Sequence, residues 1–322
     1  MHEIAILDDY QNAALKSANW DLLPNVKITV FNNFIKPENL PKVLNQFSIV
    51  VLMRERTRFP KTLIQRLPNL LLIVTAGMRN LSIDLLEAKK CGIEVCGTDM
   101  LGYPAFEHTW GLILACMKKI PEENLVMKKG GWQVAFGSGL KGKTLGILGL
   151  GKLGSKVAKV GIAFDMDVIC WSENLSKEKA EKFGAKLVSR DELFRQSDIL
   201  TIHLVLSDRT KGIVDEAAFE VMKSTSYLIN TSRGPIVNED ALISALETKS
   251  IAGAGLDVYD IEPLPMSHRL RQLENVVLTG HTGFVVKELH SLVYGQAVED
   301  IVAWLQGAPI RQLYDTKDLY IE

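Results

Sequence analysis

Three segments in the second half of the chain carry residue types that can do acid–base and anion chemistry at the ends of predicted strands. Arg233 follows the run YLINTS, Glu262 lies in the turn of LDVYDIEPLP, and His281 lies between glycines after VVLT. Ligands of open α/β sheets bind outside the carboxyl ends of the strands. The sequence therefore predicts that these three side chains converge at one edge of a sheet.

Each of the three residues is ambiguous alone, because such residues are commonly solvated, ion-paired or structural. Together they match the reduction of a 2-oxo acid. That reaction needs a cation for the carboxylate and carbonyl, and a proton donor for the oxygen that hydride addition makes negative. Arg233 and His281 fit these roles, and Glu262 would favour the imidazolium and fix its tautomer.

A glycine-rich segment predicts the site of the hydride carrier. Gly149, Gly151 and Gly154 have GxGxxG spacing between the apolar run 145–148 and the helical stretch 155–163. Glycines in this setting permit a tight turn, close approach to a pyrophosphate and close packing of helix on strand, and the helix N-terminus can receive phosphate. The segment therefore predicts a bound dinucleotide.

The ribose position of this segment is less regular. A carboxylate about 20 residues after the glycines normally accepts hydrogen bonds from the ribose hydroxyls. Ser172 falls there, with Glu173 next to it. A serine neither repels a 2′-phosphate nor binds the diol strongly, whereas Glu173 could turn in and favour NAD; a solvated loop acid is the alternative. NAD is favoured and NADP stays open.

The elements that must position these residues are two series of short strands alternating with helices. Such alternation predicts parallel sheets. A buried helix after Pro104 would connect the series, and a last helix at 285–305 would return to the first. The predicted strands are 4–7, 26–31, 49–53, 70–74 and 93–96, then, after 145–148, 186–188, 199–204, 226–229, 253–256 and 276–278.

Composition is that of a globular enzyme of two domains: 322 residues, 47% hydrophobic and 23% charged, with a net charge of -1. The near-neutral charge gives no electrostatic argument for nucleic acid or an anionic membrane as partner. We expect a cytoplasmic protein, since the sequence shows no secretion signal and no apolar run near the ~18 residues of a membrane span.

The cysteines and histidines do not predict a metal site. Neither type shows ligand spacing, and we interpret the cysteines as small core residues. The residues concerned are Cys91, Cys96, Cys116 and Cys170, and His2, His108, His203, His268, His281 and His290.

These segments together resemble the D-isomer-specific 2-hydroxyacid dehydrogenase family over nearly the whole chain. The resemblance rests on LGLGKLG, HLVLSDRT, NTSRGPIVNEDAL, AGAGLDVYDIEP, the EHT at 107–109 and a histidine followed by glycine near residue 281. It implies an α/β fold of two Rossmann-like or flavodoxin-like parallel-sheet domains. The substrate domain would be 1–101 with 286–322, and the inserted dinucleotide-binding domain 102–285.

The resemblance also implies site residues and an assembly. The catalytic trio would be Arg233, Glu262 and His281, and the protein would form a homodimer through its nucleotide domains. The predicted cofactor-binding residues are Gly149, Gly151, Lys152, Leu153, Gly154, Ser172, Glu173, His203, Thr210, Thr231, Ser232, Asp257 and Gly283.

In this family, backbone N–H groups of a loop bind the substrate carboxylate. The matching residues are Ala76, Gly77, Met78, Arg79 and Asn80. The family commonly has glycine, valine, aspartate and asparagine where this chain has Met78, Arg79, Asn80 and Leu81, which leaves the substrate open. Arg79 could add an anion contact or be solvated. Arg56, or its neighbours Arg54 and Arg58, could favour a substrate with a second negative group.

Two further departures from the family pattern remove no chemical group. Gly280 stands where proline commonly precedes the histidine, and Val205 stands where the family often has proline. We therefore predict an NAD(P)-dependent oxidoreductase that reversibly converts a 2-oxo acid to its D-2-hydroxy acid. The alternatives are an NAD(H)-sensing, co-repressor-like binding protein and oxidation of another small anion on the same fold.

Overall fold

The computed structural model of the chain describes residues 1–313, in two compact units. One unit comprises Met1–Leu101 and the described chain from Val285, and the other is Gly102–Phe284. The chain returns to the first unit after Phe284, one residue before the boundary that was predicted between residues 285 and 286. Residues 314–322 of the predicted substrate domain lie outside the described residues.

Twelve strands and twelve α-helices occur in residues 1–313. The strands are β1 (His2–Ile6), β2 (Val26–Val30), β3 (Ile49–Leu52), β4 (Leu72–Thr75), β5 (Glu94–Gly97), β6 (Thr144–Leu148), β7 (Asp167–Trp171), β8 (Lys186–Leu187), β9 (Ile199–Ile202), β10 (Tyr227–Asn230), β11 (Gly253–Leu256) and β12 (Val276–Leu278). The helices are α1 (Ala14–Ser17), α2 (Leu40–Leu44), α3 (Lys61–Ile64), α4 (Leu85–Lys90), α5 (Pro104–Lys118), α6 (Ile120–Lys128), α7 (Lys152–Ala163), α8 (Lys177–Lys182), α9 (Arg190–Gln196), α10 (Glu216–Val221), α11 (Glu239–Glu247) and α12 (Lys287–Leu305).

The unit that contains the N-terminus is built on a parallel sheet of order β2-β1-β3-β4-β5. All four residues of β3 and of β4 are buried. Such continuous apolar strands are typical of parallel sheets covered on both faces. The last helix, α12, belongs to this unit and contacts α1, β4 and β5.

The other unit is built on a parallel sheet of order β12-β11-β10-β9-β6-β7-β8. The strand order reverses at β6, which pairs with β9 on one side and β7 on the other. The carboxyl ends at such a reversal form the crevice in which open α/β sheets bind ligands. The two parallel sheets confirm the predicted fold class.

Strand β9 is shorter than the predicted strand 199–204. Its last paired residue, Ile202, lies opposite Leu148 of β6 and Asn230 of β10, where both partner strands end. Beyond Ile202, the His203 N–H still donates to the Leu148 carbonyl of β6, and residues 203 and 204 then lead into a loop.

Helix α5 lies against β10 and β11. A side chain on Gly255 of β11 would meet Cys116 and Leu112 of the helix at 3.1 and 3.2 Å. Gly255 thus lets the helix approach the sheet closely. Burial raises the pKa of the Cys116 thiol to about 12, which makes it a core residue without thiolate reactivity.

Cys96 and Cys170 are buried as predicted, but Cys91 is exposed. The prediction was wrong for Cys91 because this residue follows the end of α4, in the turn before β5. None of the helices in the described chain is long and apolar enough to cross a bilayer. Residues 1–313 bring no three or more His, Cys, Asp or Glu side chains together as metal ligands.

Candidate active site

The glycine-rich loop connects β6 to α7 in the way that the spacing predicts. Gly149 has a φ of +105°, and a side chain there would lie 2.8 Å from the carbonyl carbon of His203. A side chain on Gly154 would lie 2.1 Å from the carbonyl oxygen of Gly149. Both positions therefore require glycine, one for the turn and one for the contact of α7 with the loop.

Gly151 has a different environment, because a side chain there would meet nothing within 4 Å. It is the N-cap of α7, and Lys152 and Leu153 are the first helical residues. Their N–H groups have no partner within the helix and can receive an anion, which the helix dipole also favours. The loop fits a dinucleotide pyrophosphate, since the backbone is uncovered where the ligand must approach.

Ser172, the residue in the ribose position, bonds to this loop. Its hydroxyl accepts a hydrogen bond from the Leu150 N–H at 3.0 Å, and the Trp171 carbonyl accepts one from Gly149 at 2.9 Å. Glu173 is exposed. Ser172 thus holds the glycine loop, and Glu173 is the adjacent acid exposed to solvent.

His203 and Thr210 shape the loop after β9. The His203 N–H donates to Leu148 at 2.8 Å, and its ring lies 3.0 Å from the Thr201 hydroxyl. Burial lowers the pKa of His203 to about 4, so the ring is neutral at neutral pH. The Thr210 hydroxyl donates to the Val205 carbonyl at 2.7 Å and closes the following turn.

The Arg233 loop is fixed on two sides. The Ser232 N–H donates to the Asn230 side chain at 3.0 Å, and the Asn230 amide donates to the Arg233 carbonyl at 3.0 Å. A side chain on Gly234 would lie 2.1 Å from the carbonyl carbon of Tyr259. The loop that carries Arg233 therefore packs directly on the backbone that leads to Glu262.

Glu262 and His281 form a hydrogen-bonded pair. Glu262 Oε2 lies 2.6 Å from His281 Nδ1, and its other oxygen accepts the Tyr259 N–H at 3.0 Å. Both side chains are half-buried, and the His281 ring meets Phe284 edge to face at 5.7 Å. Because Nδ1 is bonded to Glu262, proton exchange with a substrate would use Nε2.

Asp257 holds the loop that carries His281. Its backbone carbonyl accepts the His281 N–H at 2.7 Å, and its buried carboxylate accepts the N–H groups of Thr282 and Gly283, both at 2.8 Å. Burial would raise the pKa of Asp257, but hydrogen bonds from His108, Thr279 and Thr282 outweigh it and the pKa is lowered. The side chain is therefore an anion inside the loop.

Helix α5 contributes two residues that the sequence analysis did not place in the site. His108 Nε2 lies 2.9 Å from the Thr279 hydroxyl and 3.2 Å from Asp257. Thr109 lies 2.7 Å from the Thr231 hydroxyl. The EHT segment could have indicated these two residues, because it places polar side chains in a helix whose other face is buried.

The predicted carboxylate-binding loop lies in the other unit, after β4. Gly77 has a φ of +90° and its N–H donates to the Thr98 hydroxyl at 3.2 Å. The buried Asn80 amide donates to the Arg54 carbonyl at 2.9 Å and to the Thr75 hydroxyl at 2.8 Å. Ala76 is buried, Met78 half-buried and Arg79 exposed.

Two arginines follow β3 in different settings. Arg56 donates to the Asp8 carbonyl at 2.9 Å and stacks over the Tyr10 ring at 4.9 Å. Arg54 Nη1 lies 2.9 Å from the place of a side chain on Gly77. Arg54 is thus the arginine beside the predicted loop, whereas Arg56 connects the loops after β3 and β1.

Comparison with known proteins defines the family. The model of the D-isomer specific 2-hydroxyacid dehydrogenase NAD binding domain matches residues 110–283. A glyoxylate reductase of Aeropyrum pernix is 38% identical over 255 residues, 76% of each chain. A D-3-phosphoglycerate dehydrogenase of Archaeoglobus fulgidus is 36% identical over 291 residues, which are 89% of this chain and 54% of the relative.

Solved structures of proteins with similar names have the same fold as this chain. A putative D-3-phosphoglycerate dehydrogenase from Ralstonia solanacearum has a TM-score of 0.91 at 36% identity, covering 97% of this chain and 96% of that one. D-lactate dehydrogenase from Aquifex aeolicus, solved with NAD and lactic acid, has a TM-score of 0.75 at 25% identity, covering 95% and 96%.

The fold and the glycine loop define a dinucleotide-binding α/β protein with a dehydrogenase architecture. The chain belongs to the D-isomer specific 2-hydroxyacid dehydrogenase family. It is accordingly an NAD-dependent oxidoreductase of 2-hydroxy or 2-oxo acids, which confirms the predicted family and reaction class.

Proposed function

We propose that the protein reversibly reduces a 2-oxo acid to its D-2-hydroxy acid, with NADH as the reductant. The observation that carries the proposal is the Glu262–His281 pair at 2.6 Å, next to an Arg233 loop that packs on the same Tyr259 backbone. The bound nicotinamide supplies or accepts the hydride.

The three side chains have separate tasks in this proposal. Arg233 binds the substrate carboxylate and polarises the carbonyl. His281 gives the proton from Nε2 to the oxygen of the reduced carbonyl, and takes it back in the reverse direction. Glu262 holds the ring through Nδ1 and stabilises the imidazolium.

The backbone of His281 supports this assignment. Its φ is +54°, in the left-handed region that residues with a side chain rarely adopt. Such conformations cost about 1–3 kcal/mol and cluster at functional sites, where the surrounding structure enforces them. Here the Asp257 hydrogen bonds to residues 281–283 enforce it.

The configuration of the hydroxy acid that the protein releases tests the proposal. Incubated with NADH and pyruvate or hydroxypyruvate, the protein is expected to release the D-hydroxy acid, which chiral chromatography identifies. Release of the L-isomer, with turnover otherwise normal, would contradict the proposed substrate geometry.

For the substrate we assign the carboxylate to N–H groups of the loop 76–80, following the family resemblance. Arg54 is better placed than the predicted Arg56 to bind a second anionic group of the substrate. Arg54 Nη1 lies beside Gly77, whereas the Arg56 guanidinium lies at the Asp8 carbonyl and over the Tyr10 ring.

For the cofactor we propose NAD rather than NADP, with Glu173 as the discriminating residue. Ser172 already accepts the Leu150 N–H, and Glu173 is the next residue along the chain. A carboxylate there would accept the ribose hydroxyls and repel a 2′-phosphate.

Replacing Glu173 with glutamine is therefore expected to raise kcat/KM for NADPH relative to NADH by about tenfold or more, the value of one lost like-charge contact. The matched variant Ser172→Ala is expected to weaken both cofactors alike, because it releases the glycine loop. An unchanged NADH/NADPH ratio in Glu173→Gln, measured by steady-state kinetics, would refute the assignment.

We also propose a homodimer formed through the unit Gly102–Phe284. Helix α6 and the segment after it expose the large apolar side chains of Ile120, Leu125, Met127, Trp132 and Phe136. Apolar clusters of this kind mark interaction sites. A monomer mass in light scattering would contradict the dimer. A cytoplasmic location remains a prediction.

A further inference from the structure

After α12 the chain returns to the sheet of the first unit. The Gly97 N–H donates to the Arg311 carbonyl and the Leu313 N–H donates to the Val95 carbonyl, both at 2.9 Å. Gln312 forms an antiparallel bridge with Cys96. Residues 311–313, here called the C-terminal strap, thus extend the sheet beyond its edge strand β5.

The strap is anchored to α12 by the Arg311 side chain. Its guanidinium donates to Asp300 at 2.8 Å, to Glu299 at 2.8 Å and to the Gln296 carbonyl at 3.0 Å. Asp300 has no exposed surface. A buried carboxylate needs a charged or hydrogen-bonding partner, so this ion pair fixes Arg311 on the helix.

The other end of the strap reaches the loop 76–80. A side chain on Gly97 would lie 2.7 Å from the Leu313 Cδ1 atom, 2.7 Å from the Gly77 carbonyl oxygen and 3.1 Å from the Met78 Cα atom. Leu313 is buried in the core cluster on which Met78 packs. The Leu313 side chain and the loop backbone therefore border the same small space beside Gly97.

Helix α12 also holds the end of β5 on the same side. The Gln296 amide oxygen accepts the Asp99 N–H at 2.6 Å, and its NH₂ group donates to the Asp99 carboxylate at 2.9 Å. Gln296 is the residue whose carbonyl accepts from Arg311. Hydrogen bonds therefore connect α12 both to the strap and to the residues that follow β5, near the loop 76–80.

We propose that Arg311 is a positioning residue for the substrate loop 76–80. It fixes the strap on α12, and Leu313 then supports the backbone of Gly77 and Met78. The Gly77 N–H donates to Thr98, and the backbone held there sets the orientation of the N–H groups that follow it in the loop, which must stay constant to bind a carboxylate. The proposal rests on the proposed function, which assigns the carboxylate to this loop.

Two variants test it, Arg311→Gln and Leu313→Ala. In both, we expect faster hydrogen–deuterium exchange in peptides that cover residues 76–80. We also expect KM for the 2-oxo acid to rise about 5- to 20-fold, with the Kd of NADH within about twofold of wild type. NADH binding is expected to be unaffected because the residues proposed to bind the cofactor all belong to the other unit. Arg311→Lys, which keeps the charge but loses the fork of donors, should be intermediate.

The matched control is Arg269→Gln, which removes another arginine–glutamate pair, with Glu247 at 2.5 Å. It is expected to leave both exchange and KM unchanged. Leu313→Ala keeps the ion pair and remains informative if Arg311→Gln does not fold. Folded variants with wild-type exchange at 76–80 and wild-type KM would overturn the proposal. If the wild type reduced no 2-oxo acid, the proposed function would fail, but the exchange experiment would still test the strap.

Discussion

His281→Ala is expected to lower kcat for 2-oxo acid reduction by on the order of a hundredfold or more, as loss of a general acid does. The variant lacks the ring nitrogen that protonates the product oxygen. The glycine loop, in contrast, is held by Ser172 and Trp171 and does not depend on the imidazole. NADH binding, measured by fluorescence titration, should therefore stay within about twofold of wild type.

The chain offers a matched control in a second histidine–glutamate pair. His268 Nε2 lies 3.1 Å from Glu239 Oε1, with both side chains partly buried. His268→Gln is expected to retain kcat, because this histidine belongs to none of the strand-end segments assigned to the substrate. Wild-type turnover by His281→Ala would exclude the imidazole as the proton donor.

Arg233→Ala is expected to lower kcat/KM for the 2-oxo acid by about 10²- to 10³-fold, since it removes charge-assisted hydrogen bonds to both the carboxylate and the developing oxyanion. Arg233→Lys should recover only part of this loss, because an ammonium cannot reproduce the planar fork of donors. Steady-state kinetics with the 2-oxo acid varied at saturating NADH measure the effect.

An exposed arginine on α9, Arg195, gives the control for charge alone. Arg195→Ala removes the same charge from the same unit and should leave kcat/KM unchanged. If Arg233→Ala raised only the KM for NADH and left the 2-oxo acid parameters intact, Arg233 would be a cofactor ligand and its proposed role would be wrong.

The features that the sequence could predict are those with a local cause. The glycine spacing specifies its own turn, and the structure gives a steric reason for Gly149 and Gly154. The strand ends that carry Arg233, Glu262 and His281 follow from short apolar runs that stop at polar residues. The fold class followed from the alternation of strands and helices.

The features that the sequence could not predict depend on contacts between distant segments. His108 reaches Thr279 across 171 positions because α5 lies close to the small residues of β11. Ser172 was assigned to the ribose by its position alone, and its hydrogen bond to Leu150 became evident only once the loop was folded. Alternation likewise could not choose between Arg54 and Arg56, whose settings depend on Gly77 and Asp8.

We propose that this strand-end site reduces 2-oxo acids with NADH. The most direct measurement follows nicotinamide absorbance with NADH and with NADPH across glyoxylate, hydroxypyruvate, pyruvate and bulky branched 2-oxo acids. We predict oxidation of NADH with at least one of these acids, faster than oxidation of NADPH. No oxidation of either cofactor with any acid of the panel, by protein that binds NADH, would contradict the account and favour a cofactor-sensing binding protein.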